Sequence, residues 1–563
     1  MTRAREGAHD AAEDARGLTV KATRLEEAGR AARRAGDYAT ARARFETAIA
    51  MLGDDHSAWR TRLHIQLSRM LGLSGDRDAS LREAERAVCI TPPGASESVA
   101  LARLAVALSH AGRAVDAQTS AQRAVEAALH AGDLEAEGIA RMALGYALRS
   151  AGMPLAASQE VGAAVPLAAA HGDHEAVVTR LIDLANSLYL AGDGAAAAEA
   201  AARSVAEARR RGVALGMPAA AHALFLYHTG RWQSAMRVLD DGLAEEPRFP
   251  WLVLMRAQLL VGRGDLAAAR RSLARAERLA PGPRAGGWDG PQETAADLLL
   301  WADDPAGALA RVQEALATVE VTERNDTVRE LAVLGLRALA DMREAGHQEV
   351  LGRWQGVADR LIDLVRRHGA LMREGHPEAV GGHLPAMEAL AEAEYARAHG
   401  LVSARHWHRA AELLDGIGNP WRSAYARLRL AQAARRDGDS SADAVAAAAL
   451  ADAHRTAVRL RARLLQRMVE SEASAWGRPI LAVDPPLPAA TAPRDPRGLT
   501  PRERQVLALL GNGSNNRQIA SALGISEKTV SVHIGSITGK LGVGNRLEAA
   551  AIAMRLSPTP DGP

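Results

Sequence analysis

Residues 499–554 read LTPRERQVLALLGNGSNNRQIASALGISEKTVSVHIGSITGKLGVGNRLEAAAIAM, and this stretch predicts four short helices joined by tight turns. Each predicted helix follows a side chain suited to the N-cap: Thr500, Asn515, Ser526 and Asn545. In three of the four cases a Glu or Gln stands three residues later, which completes a capping box. Between the second and third helices, Gly524-Ile525 is a turn short enough for a steep helix crossing. The pattern predicts a helix-turn-helix.

The third predicted helix, over residues 526–541, is amphipathic. At about 100° per residue, one stripe of aliphatic side chains faces the core: Val530, Ile534, Ile537 and Leu541. The opposite face carries mostly small or polar residues: Lys528, Ser531, Val532, Gly535, Ser536 and Gly539. Val532 is the apolar member of this face, which suits contact with a thymine methyl group in a DNA major groove. The alternative for Val532 alone is an isolated surface valine.

The charge of this segment agrees with DNA contact. Residues 499–557 contain seven Arg or Lys and three Glu, a net charge of +4, whereas the whole chain carries +2. Positive charge concentrated around a groove-reading helix favours phosphate contact. A solvated basic face is the alternative explanation of the charge.

These segments together resemble the LuxR-type output domain of bacterial transcription regulators. The resemblance covers about the last tenth of the chain and rests on LTPRER from Leu499, NRQIA from Asn516, GISEKTV from Gly524, Val532-His533, KLGV from Lys540 and RLEA from Arg546. It implies a recognition helix in the major groove, a scaffold helix across the DNA backbone, and homodimers formed through the last helix.

The resemblance also implies which residues contact double-stranded DNA. By position, the base-reading sites fall on Ser531, Val532 and Gly535, with Ser536 on the same outer face. The positions that hold phosphates are Lys528, Thr529, Lys540 and Arg546. Many family members carry longer side chains where Ser531 and Gly535 stand. This departure favours recognition through DNA shape, with a lower affinity.

The preceding nine tenths of the chain contain a helical repeat. Turn glycines recur at spacings of 34 to 40 residues: Gly36, Gly75, Gly112, Gly152, Gly192, Gly230 and Gly264. Five of them are followed at +5, +9 and +12 by mostly small residues, as in Ala117, Ala121 and Ala124 after Gly112. Proline at +17 ends the second helix of three units: Pro92, Pro247 and Pro281. This pattern resembles slightly lengthened tetratricopeptide repeats, most clearly over residues 25–281.

Beyond residue 281 the repeat is less regular. Asp303-Asp304 stands in for a turn, and Gly400 and Gly438 begin helical hairpins with shifted offsets. The Gly/Pro-rich residues 281–291 predict a long loop between hairpins, with a domain boundary as the alternative.

The fold class predicted is all-α. Aromatic residues make up 3% of the chain and hydrophobic residues 48%, so the core consists mainly of Ala, Leu and Val, which suits closely packed helices. A solenoid accommodates 563 residues without one large core. The predicted organisation is a polar N-terminal segment (1–24), a tetratricopeptide-like domain (25–476), a Pro-rich linker (477–498), the LuxR-type domain (499–557) and a disordered tail (558–563).

The repeats predict a binding surface, because stacked helical hairpins commonly present a long concave face to peptides, proteins or small molecules. A plain scaffold is the alternative. Four aromatic residues near one repeat are candidate anchors, and each is equally a candidate for core filling: Phe225, Tyr227, Trp232 and Trp251.

The arrangement resembles the C-terminal part of large ATP-binding LuxR-type regulators without their ATPase domain. A phosphate-binding loop requires a Gly-rich stretch ending in Lys, and the three lysines, Lys21, Lys528 and Lys540, stand in no such motif. The closely spaced pairs His171/His174 and His406/His408 lack a third zinc ligand. We therefore expect no enzyme activity, metal or cofactor.

Cellular context follows from what the sequence lacks. Cys89 is the single cysteine, which suits a reducing compartment. Neither a secretion leader nor a run of about 18 apolar residues is present, so we expect a cytoplasmic protein without membrane contact. The leading hypothesis is a transcription regulator that binds DNA as a homodimer under control of an effector on the repeats. The alternative is a repeat-based adaptor for another regulator, with a terminal domain that binds DNA weakly or not at all.

Overall fold

The computed structural model describes residues 17, 19–33, 37–52, 56–92, 94–279, 290–318, 326–346, 351–373, 382–437, 440–477, 501–511, 514–523, 527–541, 543 and 546–556. Nearly all of these residues are helical and none of them lies in a β-strand, which confirms the all-α prediction. The chain divides into an N-terminal unit, Met1–Ile480, and a C-terminal unit, Leu481–Pro563. The predicted linker and tail lie outside the described residues, apart from Gly477.

The N-terminal unit contains helices α1 to α23. Their bounds are α1 (19–33), α2 (Tyr38–Met51), α3 (Ser57–Leu73), α4 (Arg77–Ile90), α5 (Ala95–His110), α6 (Ala114–Ala131), α7 (Leu134–Ser150), α8 (Pro154–His171), α9 (His174–Leu190), α10 (Gly194–Arg211), α11 (Gly216–His228), α12 (Trp232–Glu245), α13 (Pro250–Arg263), α14 (Leu266–Leu279), α15 (Gly290–Trp301), α16 (Pro305–Thr318), α17 (Asp326–Glu344), α18 (Leu351–Arg373), α19 (His383–Ala398), α20 (Ala404–Gly416), α21 (Pro420–Asp437), α22 (Ser440–Leu460) and α23 (Arg463–Ala475).

The C-terminal unit contains four helices, α24 (Pro501–Gly511), α25 (Asn516–Leu523), α26 (Glu527–Leu541) and α27 (Arg546–Leu556). All four begin where the N-cap pattern predicted. Their shared core is aliphatic and includes Val506, Leu510, Ile519, Val530 and Ile537.

Small side chains allow the helices of the N-terminal unit to pack closely. The positions at +5, +9 and +12 from the turn glycines are buried, as predicted, and Ala117, Ala121 and Ala124 are inaccessible to solvent. Consecutive helices pack as hairpins, and alternate helices such as α11, α13, α15 and α17 also contact one another. The helix α1 begins within the segment predicted as N-terminal and polar, and its Ala22 packs in the same cluster as Phe45. Repeat packing therefore includes residues before 25.

The turns explain the repeat spacing. The predicted turn glycines that lie within the described residues all have positive φ, from 71° at Gly230 to 94° at Gly192, a conformation that favours glycine. A second set, with φ of 64° to 78°, separates successive hairpins and was not singled out in the sequence: Gly132, Gly172 and Gly212. Asp303 has φ of 63° and Asp304 accepts a hydrogen bond from the Gly307 amide, which confirms this pair as a turn.

Prolines stand at predicted helix ends and in the predicted loop. Helices α4 and α12 end two residues before Pro92 and Pro247, as predicted, whereas Pro281 lies outside the described residues. Most of the predicted loop at 281–291 lies outside the described residues, but its last two residues, Gly290 and Pro291, belong to α15. Proline is tolerated there because it stands in the first turn of the helix, where its missing N–H has no intrahelical partner.

The array of hairpins contacts itself over a long sequence distance. A Cβ atom placed on Gly152 would lie 2.1 Å from the carbonyl oxygen of Met372, at the end of α18. The next three turn glycines also approach later elements, with added Cβ atoms at 2.6 to 2.9 Å: Gly192 to Gly382, Gly230 to Pro420, and Gly264 to Leu464. The turns of four successive hairpins therefore pack against helices α18 to α23 or the turns between them.

Candidate nucleic-acid interface and the repeat cavity

Helix α26 places a polar face on the surface of the C-terminal unit. Val530 and Ile537 are inaccessible to solvent, and Ile534 and Leu541 pack against the same core, which confirms the predicted aliphatic stripe. On the other side, Ser531 and Gly535 are exposed and Ser536 is half-buried. A Cβ atom added to Gly535 would have open space around it, with nothing described within 4 Å.

Four other predicted contact residues belong to α26 by their backbone: Lys528, Thr529, Val532 and Lys540. Their side chains lie outside what the structure describes, so the roles assigned to them stay predictions. The N-cap Ser526 and the turn Gly524-Ile525 also lie outside the described residues.

A chain of hydrogen bonds joins α25, α26 and α27. Asn516 Nδ2 donates to Ser531 Oγ at 3.0 Å, and Asn516 Oδ1 accepts from Arg546 Nη1 at 3.0 Å. A second nitrogen of Arg546, Nη2, donates to the Ser514 carbonyl oxygen at 3.1 Å. The guanidinium is exposed, so it holds the helix ends together while one side remains open to solvent.

The N-terminus of α25 is fixed by the predicted capping box. The Asn515 amide donates to Gln518 Oε1 at 2.9 Å, and the Gln518 amide donates to Asn515 Oδ1 at the same distance. Asn516, the next residue, was not recognised as a site residue in the sequence. The sequence contained one indication of its role: Asn516 is a second amide side chain, directly after the N-cap Asn515, and at the first position of α25 it can point away from that helix.

A cavity lies in the N-terminal unit, between the inner helices α11, α13, α15, α17, α19 and α21. Its empty space, including the part open to solvent, is about 770 Å³. We call it the repeat cavity and define it by its polar and aromatic lining residues: Tyr227, His228, Gln258, Glu293, Thr294, Asp297, Trp301, Glu330, Arg337, Glu394, Asn419, Trp421, Arg422 and Tyr425.

Two carboxylates of the repeat cavity are paired. Glu330 Oε2 accepts a hydrogen bond from Arg422 Nη2 at 2.6 Å. Burial raises the pKa of Glu330, but the surrounding positive charges, Arg422 first among them, lower it to about 2. Glu394 accepts from Arg397 Nε at 2.9 Å and from the Tyr425 hydroxyl at 2.6 Å. Both carboxyl groups are therefore satisfied by hydrogen bonds from arginine.

The aromatic residues near the repeat are mainly part of the core. Trp232 is buried, stacks on Tyr227 with ring centres 5.4 Å apart, and donates its indole N–H to the Tyr227 carbonyl oxygen. Phe225 is buried as well, and Trp251 packs against the main core cluster. Tyr227 differs, because it is buried and also lines the repeat cavity.

Comparison with known proteins identifies both regions. Residues 497–553 match the family "Bacterial regulatory proteins, luxR family", and residues 226–287 match the tetratricopeptide repeat. The C-terminal unit carries a LuxR-type helix-turn-helix domain. Both matches are to non-enzymatic kinds of protein. The helices α24 to α27 of this LuxR-type domain include every residue predicted to contact DNA.

Curated relatives match the same region. The "Uncharacterized transcriptional regulatory protein YhcZ" of Bacillus subtilis is 47% identical over 57 residues, which are 10% of this chain and 27% of that protein. The "Nitrate/nitrite response regulator protein NarL" of Escherichia coli is 43% identical over 83 residues, 15% of this chain and 37% of NarL. The chain thus spans less than two fifths of either relative.

Solved structures match the repeats at low similarity. A Rap protein complexed with competence and sporulation factor is 12% identical with a TM-score of 0.37, and the match covers 57% of this chain and 99% of that one. Yeast Tom70 is 15% identical with a TM-score of 0.31, over 81% of this chain and 95% of Tom70.

Among the described residues, no helix is long and apolar enough to cross a membrane, and no group of three or more His, Cys, Asp or Glu is placed to bind a metal ion.

Proposed function

We propose that this protein is a DNA-binding transcription regulator of the cytoplasm that acts as a homodimer, with an effector bound to its repeats controlling the LuxR-type domain. The observation that carries the proposal is the exposed face of α26 around Ser531 and Gly535, opposite the buried stripe of Val530 and Ile537. A helix with one side fixed in a core and small residues on the other can enter the major groove closely.

The predicted contacts divide into two kinds. Ser531, Val532, Gly535 and Ser536 would face base edges, where small side chains favour close approach and readout of DNA shape. The phosphate contacts would come from Lys528, Thr529 and Lys540 at the two ends of α26, and from Arg546 at the start of α27. In this proposal the exposed side of the Arg546 guanidinium faces a phosphate, while its other side stays on Asn516 and Ser514.

Gly535→Ala tests the groove-facing role of α26. Alanine replaces glycine in the interior of a helix with open space around it, so the C-terminal unit should gain about 0.5–1 kcal/mol of stability. The same methyl group would stand between the helix and the bases. We expect weaker, altered binding to selected promoter fragments despite the higher stability, measured with the full-length protein by fluorescence anisotropy and thermal unfolding.

Lys540→Ala is the companion variant, because a phosphate contact lacks sequence preference. It should weaken binding to all fragments evenly and reduce the slope of log affinity against log salt by about 1 for each lost contact. The proposal fails if the full-length protein binds no promoter fragment at low salt, or if Gly535→Ala leaves binding to every fragment unchanged.

An adaptor for another regulator is the second candidate function. Ser531 and Gly535 favour it, because both are small where the family often carries longer DNA-contacting side chains. An adaptor would retain its partner and its cellular effect when the LuxR-type domain is removed, whereas a DNA-binding regulator would lose control of its genes.

A further inference from the structure

We propose that the repeat cavity binds a small organic ammonium ligand, whose charged nitrogen lies against Asp297 and whose apolar part packs on Trp301 and Trp421. This proposal names the chemical class of the effector and therefore rests on the proposed function.

The charge of the lining favours a cation. Four carboxyl groups line the cavity, on Glu293, Asp297, Glu330 and Glu394. Against them stand three guanidinium groups, those of the lining Arg337 and Arg422 and that of Arg397, which pairs with Glu394. The lining His228 adds no positive charge at neutral pH, because burial, followed by the charge of Arg422, lowers its pKa to about 3. An anionic ligand would meet an excess of negative charge.

Asp297 is the carboxyl group best placed for the ligand. Glu330 and Glu394 already accept strong hydrogen bonds from arginine, whereas the Arg337 Nη1 atom lies 3.6 Å from Asp297 Oδ1, beyond hydrogen-bond range. Burial, only partly offset by Arg337, Arg422 and the Trp301 indole, raises the pKa of Asp297. An ammonium group beside Asp297 would restore the stability of its charged form.

Two further polar groups offer hydrogen bonds. Tyr227 is 7% exposed and lines the cavity, and burial, followed by the nearby charge of Asp297, raises the pKa of its hydroxyl. The Gln258 Oε1 atom is buried and has no hydrogen-bond partner among the described residues. An ammonium group has three N–H donors and no acceptor, so Asp297, Tyr227 and Gln258 match its needs.

Rigid aromatic rings form the apolar part of the site. The rings of Trp301 and Trp421 are 5.2 Å apart, and Trp421 is held by Trp232 at 5.3 Å. The Arg337 guanidinium already lies 4.5 Å from the Trp301 ring centre and 4.7 Å from that of Tyr425, which shows that these rings accept a cation. Since Arg337 already supplies the cation at Trp301, the ligand would contribute its apolar part to these rings and its ammonium group to Asp297.

The test uses three probes of one shape: 2-phenylethylamine, 2-phenylethanol and phenylacetate. Binding to the full-length protein is measured by isothermal titration calorimetry and by tryptophan fluorescence. We expect saturable binding of the amine, at least tenfold tighter than that of the alcohol or the acid. The proposal is overturned if the amine does not bind, or if either other probe binds as tightly.

Asp297→Asn should weaken amine binding at least tenfold while it keeps the shape of the side chain. The matched control is Asp183→Asn, because Asp183 also has an arginine, Arg149, at 3.6 Å and a pKa raised by burial, yet it does not line the repeat cavity. This control should bind the amine as the unchanged protein does. Unchanged amine binding in Asp297→Asn overturns the proposal.

Tyr227→Phe provides a second variant in case Asp297→Asn does not fold. Removal of the hydroxyl leaves the ring packing intact and should weaken amine binding several-fold. Equal affinity in a folded Tyr227→Phe protein counts against the site. Promoter binding is measured on the same samples without amine: DNA binding without amine binding refutes only the ligand, whereas amine binding without DNA binding refutes the regulator.

Discussion

The self-contact of the hairpin array predicts a difference between two glycines that look alike in the sequence. Gly152 and Gly172 have φ of 79° and 78°, and both follow helices of similar length. Only Gly152 approaches another segment, since an added Cβ would lie 2.1 Å from the Met372 carbonyl oxygen, whereas Gly172 has nothing within 4 Å. Alanine at either position introduces backbone strain, whereas only Gly152→Ala also disrupts the contact, so the difference between the two variants measures the contact.

The magnitudes follow from these distances. Alanine in the left-handed conformation costs about 1–2 kcal/mol, so Gly172→Ala should lose about this much stability. Gly152→Ala has the same strain and must also displace backbone, for which overpacking costs about 1–3 kcal/mol more. We expect a total loss of roughly 2–5 kcal/mol for Gly152→Ala.

Native-state hydrogen exchange is the suitable assay, because repeat arrays can open in parts and a single unfolding free energy would then be undefined. Gly152→Ala should raise exchange in α18 as well as around the substituted turn, whereas Gly172→Ala should act only near its own turn. Equal losses of stability, or unchanged exchange in α18, would refute the self-contact.

Three further predictions concern the charge networks and the helix junction. Arg397→Met should lower the opening free energy of α17 and α19, measured by native-state hydrogen exchange, by about 3–5 kcal/mol, because the buried guanidinium binds Asp341, Glu344 and Glu394. Arg366→Met removes an exposed pair with Glu392 and should cost less than about 1 kcal/mol in the same assay. Asn516→Ala removes the hydrogen bonds that join Ser531 to Arg546, so it should lower the stability of the C-terminal unit by about 1 kcal/mol. The thermal transition of this unit measures the loss, and an unchanged transition would contradict the role of Asn516. Burial lowers the pKa of three histidines to between about 3 and 4 from an ordinary 6.5: His110, His222 and His228. The unfolded chain then binds more protons, so unfolding free energy should fall as pH drops from about 6.5 towards 4, by at most about 1.4 kcal/mol per pH unit for each histidine. Urea midpoints that rise on acidification would exclude this effect.

Local features of the fold could be predicted from the sequence, because they depend on residues close together in the chain. The positive φ of Gly192, the buried positions of Ala117 and Ala121, and the capping box of Asn515 with Gln518 all follow from short spacings. For the same reason, the aliphatic stripe of α26 could be predicted from the spacing of its residues along one helix.

Features that join distant residues could not be predicted. The approach of Gly152 to Met372 depends on the curvature accumulated over many hairpins, and no single repeat encodes it. Arg397 looks like any other arginine of an Arg-rich chain until Asp341 and Glu344 are brought beside it. In the candidate interface, Asn516 was overlooked because its partners, Ser531 and Arg546, come from two other helices.

The self-contact of the array also restricts how this protein can change in length. An open solenoid tolerates the gain or loss of a hairpin, because each hairpin packs only on its neighbours. Here the glycine turns at 152, 192, 230 and 264 each touch a particular later segment, so one additional hairpin between Gly264 and Met372 would shift every one of these pairs out of register. The number of hairpins in this part of the chain is therefore fixed by geometry.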